Sequence, residues 1–401
     1  MKILLLHNHY GSAAPSGENQ VFEAERVLLE GRGHDVRTIT RHSDSLRETG
    51  SYGAMLGALS TPWNVFAANA VREEVQRFKP DVVHAHNTFP LLSPAVFPAA
   101  NGAARVLSLH NYRLFCAAAI PLRDGHTCTL CLDRHSVTPA LLHGCYRGSR
   151  IATFPIAAGI ALHRARGTWR RDVEAFIALT EDQRNRLVAA GLPSARTYVK
   201  PNFYPGTPTC RPWHERSGSV VYAGRLSGEK GVDVLVRAWS RWGAKAPELL
   251  IIGDGPLRAR LEDEVRQNSA RIRFLGQCSA EETQYLIGDA KLVLVPSTCI
   301  EGFPMVLREC FALGTPTLVS DLGPLPALVR DAGGTTFRAS DDEELRRRAS
   351  DLWEQPDRLA AMSMEAHAAF QMHYTESANH DRLMHIYEAA QREYRDRGTA
   401  Q

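Results

Sequence analysis

The feature that most constrains the fold of this 401-residue chain is an alternation of short apolar segments with helical periods, which occurs twice. In the first half, apolar segments of strand length lie at Ile3–Leu6, Val36–Ile39, Val82–Ala85, Val106–Leu109 and Phe176–Leu179. Segments of helical period between them include Val21–Glu30 and Val71–Phe78. Such alternation is typical of βαβ units, so we predict an α/β fold with a parallel sheet.

The alternation breaks between Lys200 and Ser217, where the chain holds four prolines and no clear period. It then resumes, with strands predicted at Val220–Tyr222, Leu249–Ile252, Ile272–Leu275, Leu292–Val295 and Thr317–Val319. The helical periods of this half lie at Val232–Trp242, Leu257–Gln267, Ala280–Ile287 and Met305–Leu313. The tail from Asp341 onward has helical character throughout. We therefore predict two α/β domains, at residues 1–200 and 206–375, followed by a helical segment at 376–401.

Composition narrows the class of protein further. The chain has 44% hydrophobic and 23% charged residues, as ordinary soluble globular proteins do. It has no apolar run of membrane-spanning length, and its start reads as a first strand rather than a signal peptide, so we expect a cytoplasmic protein. Residues 1–200 hold 23 Lys and Arg against 16 Asp and Glu, whereas residues 201–401 hold 24 against 28. This asymmetry indicates different partners for the two halves.

Two carboxylates stand out near residue 300. The apolar run Leu292–Val295 leads into a polar loop that contains Glu301, and the following helix is opened by Pro304 and carries Glu309. Ligands of open α/β sheets bind outside the carboxyl ends of the strands, where this loop is predicted. Each carboxylate can accept two O–H hydrogen bonds, which suits a sugar or a ribose. On spacing alone, a pair of solvated helix carboxylates is the alternative.

A glycine-rich basic loop follows the first strand of the second half. The segment Ala223–Gly231 places Arg225 and Lys230 on a loop that leads into a helix, an arrangement that favours a diphosphate. Two exposed basic residues in a loop are the alternative interpretation. The turn Gly253–Pro256 ends the next strand, and by itself it reads as an ordinary tight turn.

Together these segments resemble the E-x7-E, G-R-x4-K-G and G-x-G-P elements of retaining glycosyltransferases of family 4, and the resemblance spans nearly the whole chain. It implies the GT-B fold, with two facing Rossmann-like domains and a C-terminal helix that crosses back to the first domain. The first domain would bind an acceptor, and the second would bind a nucleotide sugar.

The resemblance also implies roles for the residues of the second half. Glu301 would bind hydroxyls of the transferred sugar as a catalytic residue, and Glu309 would hold the ribose hydroxyls. Arg225 and Lys230 would hold the diphosphate, and Gly253 would lie close to the base. The remaining donor-binding positions, which act mainly through backbone N–H groups, would be Gly302, Phe303, Pro304, Met305 and Val306.

In the first half, Gly17 follows Ser16 after the first strand and would let the backbone approach the donor diphosphate, unless Ser16 is a plain helix N-cap. The family places a histidine where His110 ends the fourth strand, near the transferred sugar, so His110 is a second catalytic candidate. Of His84 and His86, one is predicted to line the acceptor cleft and the other to be core. We assign His86, Asn111 and Arg113 to the acceptor side, although a lone histidine is more often structural.

Four cysteines cluster after His110, within an insertion at about residues 113–150 of the first domain: Cys116, Cys128, Cys131 and Cys145. The inner pair has the knuckle spacing of structural zinc sites, and a cytosolic location argues against disulfides. A structural zinc ion, free thiols and redox bridges are all compatible with the pattern. The other cysteines show no such grouping.

An arginine-rich segment surrounds the apolar stretch Phe154–Leu162. Its basic residues are Arg147, Arg150, Arg164, Arg166, Arg170 and Arg171. Basic residues beside an apolar stretch suit an anionic membrane surface, and a buried helix with solvated basic ends is the equal alternative. Nucleic acid is not expected, because no recognition motif accompanies the charge.

The sequence therefore predicts a retaining glycosyltransferase that moves a sugar from a nucleotide sugar, UDP-linked or else GDP-linked, to a glycan or lipid-linked acceptor. Cell-surface polysaccharide synthesis at the inner face of the membrane is the expected setting. No metal cofactor is expected for catalysis, because Arg225 and Lys230 supply the charge. The alternatives are a GT-B nucleotide-sugar isomerase and a non-catalytic nucleotide-sugar-binding partner of a membrane assembly.

Overall fold

The computed structural model describes residues 1–11, 16–48, 50–268 and 270–399. The chain forms two compact units. The first comprises Met1–Pro121, Thr129–Pro201 and Asn379–Gln401, and the second comprises Leu122–Cys128 and Asn202–Ala378. Among the helices described, none is long and apolar enough to cross a membrane.

The first unit is built on a parallel six-stranded sheet of order β2-β1-β3-β4-β7-β8. Its strands are β1 (Lys2–His9), β2 (Asp35–His42), β3 (Val82–Asn87), β4 (Ala104–Leu109), β7 (Ala175–Ala178) and β8 (Thr197–Val199). β5 and β6 belong to a hairpin in the second unit. The central strands are apolar and buried; Ile3, for example, is 0% exposed. A parallel sheet covered on both faces requires such continuous apolar runs.

The helices of the first unit connect and cover these strands. They are α1 (Gly17–Gly31), α2 (Asp44–Glu48), α3 (Gly50–Ser60), α4 (Val65–Phe78), α5 (Val96–Ala99), α6 (Leu130–Asp133), α7 (Thr138–His143), α8 (Arg150–Ala165), α9 (Thr168–Arg171) and α10 (Glu181–Ala189). Side-chain caps fix several starts. Asn64 accepts from Ala67 N at the start of α4, and Thr180 accepts from Gln183 N at the start of α10. Each such cap stabilises a helix by about 1 kcal/mol.

The last helix, α18 (Glu376–Thr399), completes the core of the first unit. Leu383, Ile386 and Tyr387 are buried with strand residues of β1, β3 and β4 in one apolar cluster. Near the end of the helix, the Tyr394 hydroxyl accepts a 3.0 Å hydrogen bond from Gly102 N. This packing confirms the predicted return of the C-terminal helix to the first domain.

The second unit has its own parallel six-stranded sheet, of order β11-β10-β9-β12-β13-β14. The strands are β9 (Ser219–Ala223), β10 (Glu248–Ile252), β11 (Ile272–Gly276), β12 (Leu292–Val295), β13 (Thr317–Ser320) and β14 (Gly334–Phe337). The helices are α11 (Val232–Trp242), α12 (Arg258–Asn268), α13 (Ala280–Asp289), α14 (Met305–Ala312), α15 (Leu325–Val329), α16 (Asp342–Trp353) and α17 (Pro356–His373). Trp239 anchors the core, where its indole donates a 3.0 Å hydrogen bond to Pro247 O.

The predicted strands and helices of both halves coincide with these elements, with three segments extending one residue beyond them, and the α/β fold class is confirmed. One part of the chain departs from the predicted organisation. The hairpin of β5 (Leu122–Arg123) and β6 (His126–Thr127), which falls in the predicted insertion of the first domain, groups with the second unit. Among the residues that the structure describes, its two strands pair with each other and with no strand of either six-stranded sheet.

Candidate functional site

The loops after β9 and β12 in the second unit are packed tightly against each other. Thr298 N donates a 3.0 Å hydrogen bond to Glu229 O, and Thr298 Oγ1 donates one of 2.9 Å to Gly228 O. Gly231 has φ +67°, and a Cβ at this position would lie 1.8 Å from Pro296 O. Glycine is therefore required at 231 for the two loops to approach. The strands that carry them, β9 and β12, are hydrogen-bonded neighbours.

This packing brings Lys230 and Glu301 together. Lys230 Nζ lies 2.7 Å from Glu301 Oε1, and Ser297 Oγ donates a second hydrogen bond of 2.7 Å to the same oxygen. The lysine side chain is 32% exposed and the glutamate side chain 12% exposed. Burial alone would lower the pKa of Lys230, but the attraction of Glu301 and its hydrogen bond outweigh burial and raise it. The strand end thus presents a fixed cation beside a carboxylate.

Glu309 lies on α14, which begins after Pro304 without a side-chain cap. Its side chain is 15% exposed, and the nearest cationic group is Arg308, at 3.9 Å. Burial raises the pKa of Glu309, opposed by the attraction of Arg308. Arg308 itself donates a 2.8 Å hydrogen bond to Phe203 O, which anchors the helix. Glu309 is therefore a partly exposed acceptor whose ion pair with Arg308 is long, at 3.9 Å.

The turn after β10 lies against the basic loop as well. Gly253 has φ +124°, and a Cβ there would lie 2.1 Å from Gly224 O. Leu226 N donates a 3.0 Å hydrogen bond to Asp254 O, so the chain on either side of Arg225 is held by this turn. The Arg225 carbonyl accepts from the Tyr222 hydroxyl at 2.9 Å, while the residue itself is exposed.

The backbone positions predicted to contact the donor lie at the start of α14. Phe303 and Pro304 are buried, and the Phe303 ring packs on Tyr374 with centroids 5.8 Å apart. Met305 and Val306 are partly buried, and the Met305 sulfur accepts from Asn202 Nδ2 at 3.4 Å. Gly302 is partly buried in the loop just before them. The Phe303 side chain therefore belongs to the core, which leaves its backbone as the part available to a ligand.

In the first unit, the predicted residues follow the carboxyl ends of the strands. Gly17 is the first residue of α1 and Ser16 is its N-cap residue, although the Ser16 side chain makes no capping hydrogen bond. Glu18 Oε1 accepts a 2.6 Å hydrogen bond from Asn111 Nδ2, and burial raises the pKa of Glu18 to about 7. Arg113 points at Phe89, 4.2 Å from the ring centroid. Asn111 and Arg113 therefore already have protein partners.

His86 and His110 are adjacent in the same unit, with His86 Nδ1 3.2 Å from His110 Nε2. Both line a cavity of about 80 Å³ that has a polar side with Asn87 and an apolar side with Ile160 and Trp169. Burial lowers the pKa of His110 well below its ordinary value, because it penalises the charged form of the imidazole. His110 is therefore a neutral imidazole at the polar side of the cavity.

A buried acid–base group lies behind His86, and sequence reasoning did not identify two of its members. Glu25 Oε1 accepts from His86 Nε2 at 3.1 Å, and Glu25 Oε2 accepts from Lys200 Nζ at 2.7 Å. His84 Nδ1 is also 3.2 Å from Glu25 Oε1. The sequence does contain an indication for Glu25, because this carboxylate lies on the apolar, buried face of α1 between Phe22 and Leu28.

Comparison with known sequences places both units in described families. The model of "Glycosyltransferase Family 4" matches residues 17–205, and that of "Glycosyl transferases group 1" matches residues 211–368. Together the two matches cover most of the chain.

The chain carries a Glycosyltransferase Family 4 domain followed by a Glycosyl transferases group 1 domain, on a GT-B fold.

Solved GT-B structures agree with this fold over nearly the full length. The Anabaena protein HepE in complex with UDP and glucose is similar with a TM-score of 0.65 and 18% identity, covering 97% of this chain and 100% of that one. A glycosyltransferase from Rickettsia africae is similar with a TM-score of 0.68 and 12% identity, covering 97% and 98% of the two chains. At these identities the likeness establishes the fold.

Curated GT-B relatives match over shorter stretches. A D-inositol 3-phosphate glycosyltransferase of Mycolicibacterium paratuberculosis is 33% identical over 186 residues, 44% of this chain and 41% of that protein. A GDP-mannose-dependent monoacylated alpha-(1-6)-phosphatidylinositol monomannoside mannosyltransferase of Corynebacterium glutamicum is 27% identical over 176 residues, 42% and 46% of the two chains. The matches thus span less than half the length of these relatives.

Among the cysteines that the sequence grouped as ligands of a zinc ion, Cys131 and Cys145 belong to one apolar cluster and lie close enough to Cys116 to help raise its pKa. Cys116, Cys131 and Cys145 lie in the first unit, whereas Cys128 follows the hairpin in the second. All are thiols, and Cys116 Sγ donates to Ile120 O at 3.8 Å while burial raises its pKa to about 11. Within the residues described, Glu25, His84 and His86 are the only His, Cys, Asp or Glu side chains that gather three candidate ligand atoms within 4.8 Å. The zinc site therefore stays a sequence prediction without support from the sulfur positions.

The arginine-rich segment forms α8 and the short helix α9. α8 buries Ile156 and Ile160 but leaves Ile151 88% exposed and Phe154 63% exposed. Several of its arginines lie on aromatic rings; Arg166, for example, lies 4.7 Å from the centroid of Trp63. The helix is thus neither wholly buried nor an ordinary polar surface helix, because two large apolar side chains face solvent beside the basic residues.

Proposed function

We propose that the chain is a retaining glycosyltransferase that transfers a sugar from a nucleotide sugar to a glycan or lipid-linked acceptor. The observation that carries the proposal is the Lys230–Glu301 pair at the strand ends of the second unit, held by Ser297 and by the close approach at Gly231. A cation and a carboxylate side by side suit a ligand in which a diphosphate adjoins a sugar. The cation can bind phosphate oxygens, and the carboxylate can accept hydrogen bonds from hydroxyls.

The other residues of the second unit take complementary roles in this proposal. Arg225 is exposed on the same loop and adds a planar cation that can bind phosphate bidentately. Glu309 would accept the two ribose hydroxyls, and the first backbone N–H groups of α14, which has no side-chain cap, would suit the negative charge of the diphosphate. In the reaction, the bond between the sugar and the diphosphate breaks, and the cations stabilise the leaving oxygen. The acceptor oxygen attacks the anomeric carbon from the same face, its proton passes to the departing diphosphate oxygen, and the anomeric configuration is retained.

UDP is the first choice for the nucleotide part of the donor, because the Anabaena protein of similar fold was solved with UDP and glucose. GDP is the second choice, because the Corynebacterium relative is GDP-mannose-dependent. In the first unit, His110 would contact the reacting sugar, and the cavity beside it would receive part of the acceptor. Its apolar side, with Ile156, Ile160 and Trp169, suits an acceptor that carries an apolar group.

A peripheral position on an anionic membrane, and with it a part in polysaccharide synthesis, is included in the proposal. Apolar side chains are exposed on α8 (Ile151, Phe154) and on α3, which contacts α8 and exposes Met55, Leu56 and Leu59. Large exposed apolar side chains beside several arginines are typical of surfaces that enter the headgroup region of anionic lipid.

The test starts with binding. UDP-, GDP- and ADP-sugars are screened for thermal stabilisation of the purified chain, since a ligand that binds the folded state raises stability by mass action. The stabilising donor is then incubated with candidate acceptors, and product anomers are read by NMR. A retained anomer on a new glycoside supports the proposal. A new nucleotide sugar formed from donor alone would indicate an isomerase instead, and binding of all donors without any turnover would contradict catalysis.

A further inference from the structure

A continuous chain of hydrogen bonds leads from a buried lysine to His110 within the first unit. Lys200 Nζ lies 2.7 Å from Glu25 Oε2, and His86 Nε2 lies 3.1 Å from Glu25 Oε1. His86 Nδ1 then lies 3.2 Å from His110 Nε2. Lys200 is 3% exposed, Glu25 0% and His86 3%, so water does not screen the charges along this series of hydrogen bonds. Its far end, His110, reaches the cavity.

Charge balance fixes which atoms donate along this chain. Burial alone would raise the pKa of Glu25, but Lys200 and the neighbouring histidines hold it well below its ordinary value, so Glu25 is a carboxylate. A carboxylate only accepts hydrogen bonds, and His86 Nε2 must therefore carry a proton. The Lys200–Glu25 pair is already neutral, and a second positive charge on His86 would be buried beside the lysine without compensation. His86 is thus a neutral imidazole with a lone pair on Nδ1.

The same logic extends to His110. Because His86 Nδ1 is an acceptor, His110 Nε2 must be the donor in the 3.2 Å contact between them. A neutral His110 with its proton on Nε2 has a lone pair on Nδ1. In the part of the chain that the structure describes, His110 Nδ1 has no protein hydrogen-bond partner, and it is not among the buried unpaired atoms. It is therefore available to accept a ligand hydroxyl.

The arrangement does not suit a metal ion, although Glu25, His84 and His86 lie close enough to share one. The Lys200 ammonium holds the position on the carboxylate that a cation would take. The His84 lone pair is also engaged, since its Nδ1 meets the Tyr387 hydroxyl at 2.8 Å and its Nε2 meets Ser108 Oγ at 2.9 Å. Hydrogen bonding, rather than metal ligation, accounts for these contacts.

We propose that Glu25 and His86 are positioning residues, which hold His110 with its proton on Nε2 and present Nδ1 as an acceptor for a sugar hydroxyl. The assignment of that hydroxyl rests on the proposed function. The tautomer itself does not, because it follows from contacts within the first unit. In this role His86 determines which nitrogen of His110 can accept a hydrogen bond from the reacting sugar. His86 Nδ1 is hydrogen-bonded to His110 and therefore does not contact the substrate.

The direct test is the tautomer of His110 in the full-length protein labelled with ¹⁵N-histidine. Two-bond ¹H–¹⁵N correlations distinguish a protonated from a bare ring nitrogen, and the His110 signals are identified by their loss in His110→Asn. The wild type is expected to show a protonated Nε2 and a bare Nδ1. His86→Asn should preserve this state, since its amide oxygen can replace Nδ1 as the acceptor. His86→Leu should lose it.

His84→Asn is the matched control, because His84 also contacts Glu25 but does not contact His110. It should leave the His110 signals unchanged. If His86→Leu does not fold, Glu25→Gln serves as the second variant, since a neutral amide no longer requires a proton on His86 Nε2. A wild-type His110 protonated on Nδ1, or a tautomer unchanged in both His86→Leu and Glu25→Gln, would overturn the proposal.

Kinetics supply the functional readout. His86→Leu should lower kcat by roughly 10-fold to 100-fold with little change in the donor KM, because a misdirected imidazole fails mainly in the transition state. His86→Asn should recover most of that loss. An equal loss of kcat in His86→Leu and His86→Asn would contradict the proposal that His86 orients the hydrogen bonding of His110. If no transfer is found with any donor, the proposed function fails while the tautomer measurement still decides this inference.

Discussion

Lys230 and Glu301 form an ion pair of 2.7 Å between two loops that are far apart in sequence and adjacent at the strand ends. In the proposed function, a diphosphate would bind Lys230 beside Glu301. The lysine has three N–H donors and can serve both groups. If the proposal is right, the pair joins the diphosphate position to the sugar position, and removal of Lys230 and removal of Glu301 should have different effects.

Gly231→Ala should destabilise the second unit and the pair together. The left-handed φ of +67° and the 1.8 Å approach of a Cβ to Pro296 O leave no room for a methyl group. We expect a loss of roughly 2–4 kcal/mol in the free energy of unfolding, measured by denaturant titration. Gly228→Ala, with no heavy atom within 4 Å of its Cβ, is the control and should stay within about 0.5 kcal/mol. Equal stability of the two variants would contradict the packing.

Glu309→Gln should remove recognition of the ribose. Wild-type protein is expected to bind UDP more tightly than 2′-deoxy-UDP by roughly 1.5–3 kcal/mol, the range for a hydrogen bond to a charged group. In Glu309→Gln that preference should largely disappear, while Glu281→Gln, an exposed carboxylate on α13, should keep it. GDP and its deoxy form replace the pair if GDP is the nucleotide bound. If Glu309→Gln still prefers UDP over 2′-deoxy-UDP, the proposal that Glu309 binds the ribose hydroxyls is contradicted.

The neutral buried histidines should make the fold labile to acid. Burial lowers the pKa of His163 from 6.5 to about 4, so between these values the unfolded chain binds more protons than the folded one. Stability is therefore complete above about pH 6.5 and falls as the pH is lowered. His163→Gln should flatten this decline by roughly 1–2 kcal/mol at about pH 5, measured by unfolding at several pH values. His214→Gln, whose side chain is 81% exposed, should leave the slope unchanged.

Membrane binding should depend on the exposed apolar residues of α8. Flotation with phosphatidylglycerol vesicles should exceed flotation with phosphatidylcholine and weaken with added salt, because salt screens surface charge. The double change Ile151→Ser and Phe154→Ser should reduce binding by at least about tenfold. Tyr285→Ser removes a similarly exposed ring, 65% exposed, from the second unit and should have no effect. Equal flotation with both lipids would speak against the membrane role.

The sequence predicted the elements of the fold well where strands are apolar and helices strongly periodic. It missed β8 and β14, because Thr197–Val199 is short and Gly334–Phe337 is small, polar and only partly buried. It identified Lys230 and Glu301 as separate motifs but not as a pair. Their contact depends on β9 and β12 being sheet neighbours, which spacing along the chain does not reveal.

The buried group in the first unit shows a different limit. Glu25 falls within a predicted helical period, and Lys200 falls where the strand–helix alternation breaks, so neither position indicates a buried charge. Only the packing of α1 against β3 and the position of Lys200 after β8 bring the two together, at 2.7 Å. A carboxylate on the apolar face of a helix is the one sequence signal that could have indicated such a partner.

Calorimetric titration of nucleoside diphosphate into the wild type and single variants tests the central claim most directly. Lys230→Ala should weaken binding by roughly tenfold or more, because it removes charge-assisted hydrogen bonds of about 1.5–3 kcal/mol each. Glu301→Ala should keep the affinity or raise it. The change frees Lys230 from its ion pair, and a nucleoside diphosphate lacks the transferred sugar that Glu301 is proposed to bind. Lys245→Ala, an exposed lysine of the same unit, should match the wild type. Loss of affinity in Glu301→Ala together with unchanged affinity in Lys230→Ala would contradict the account.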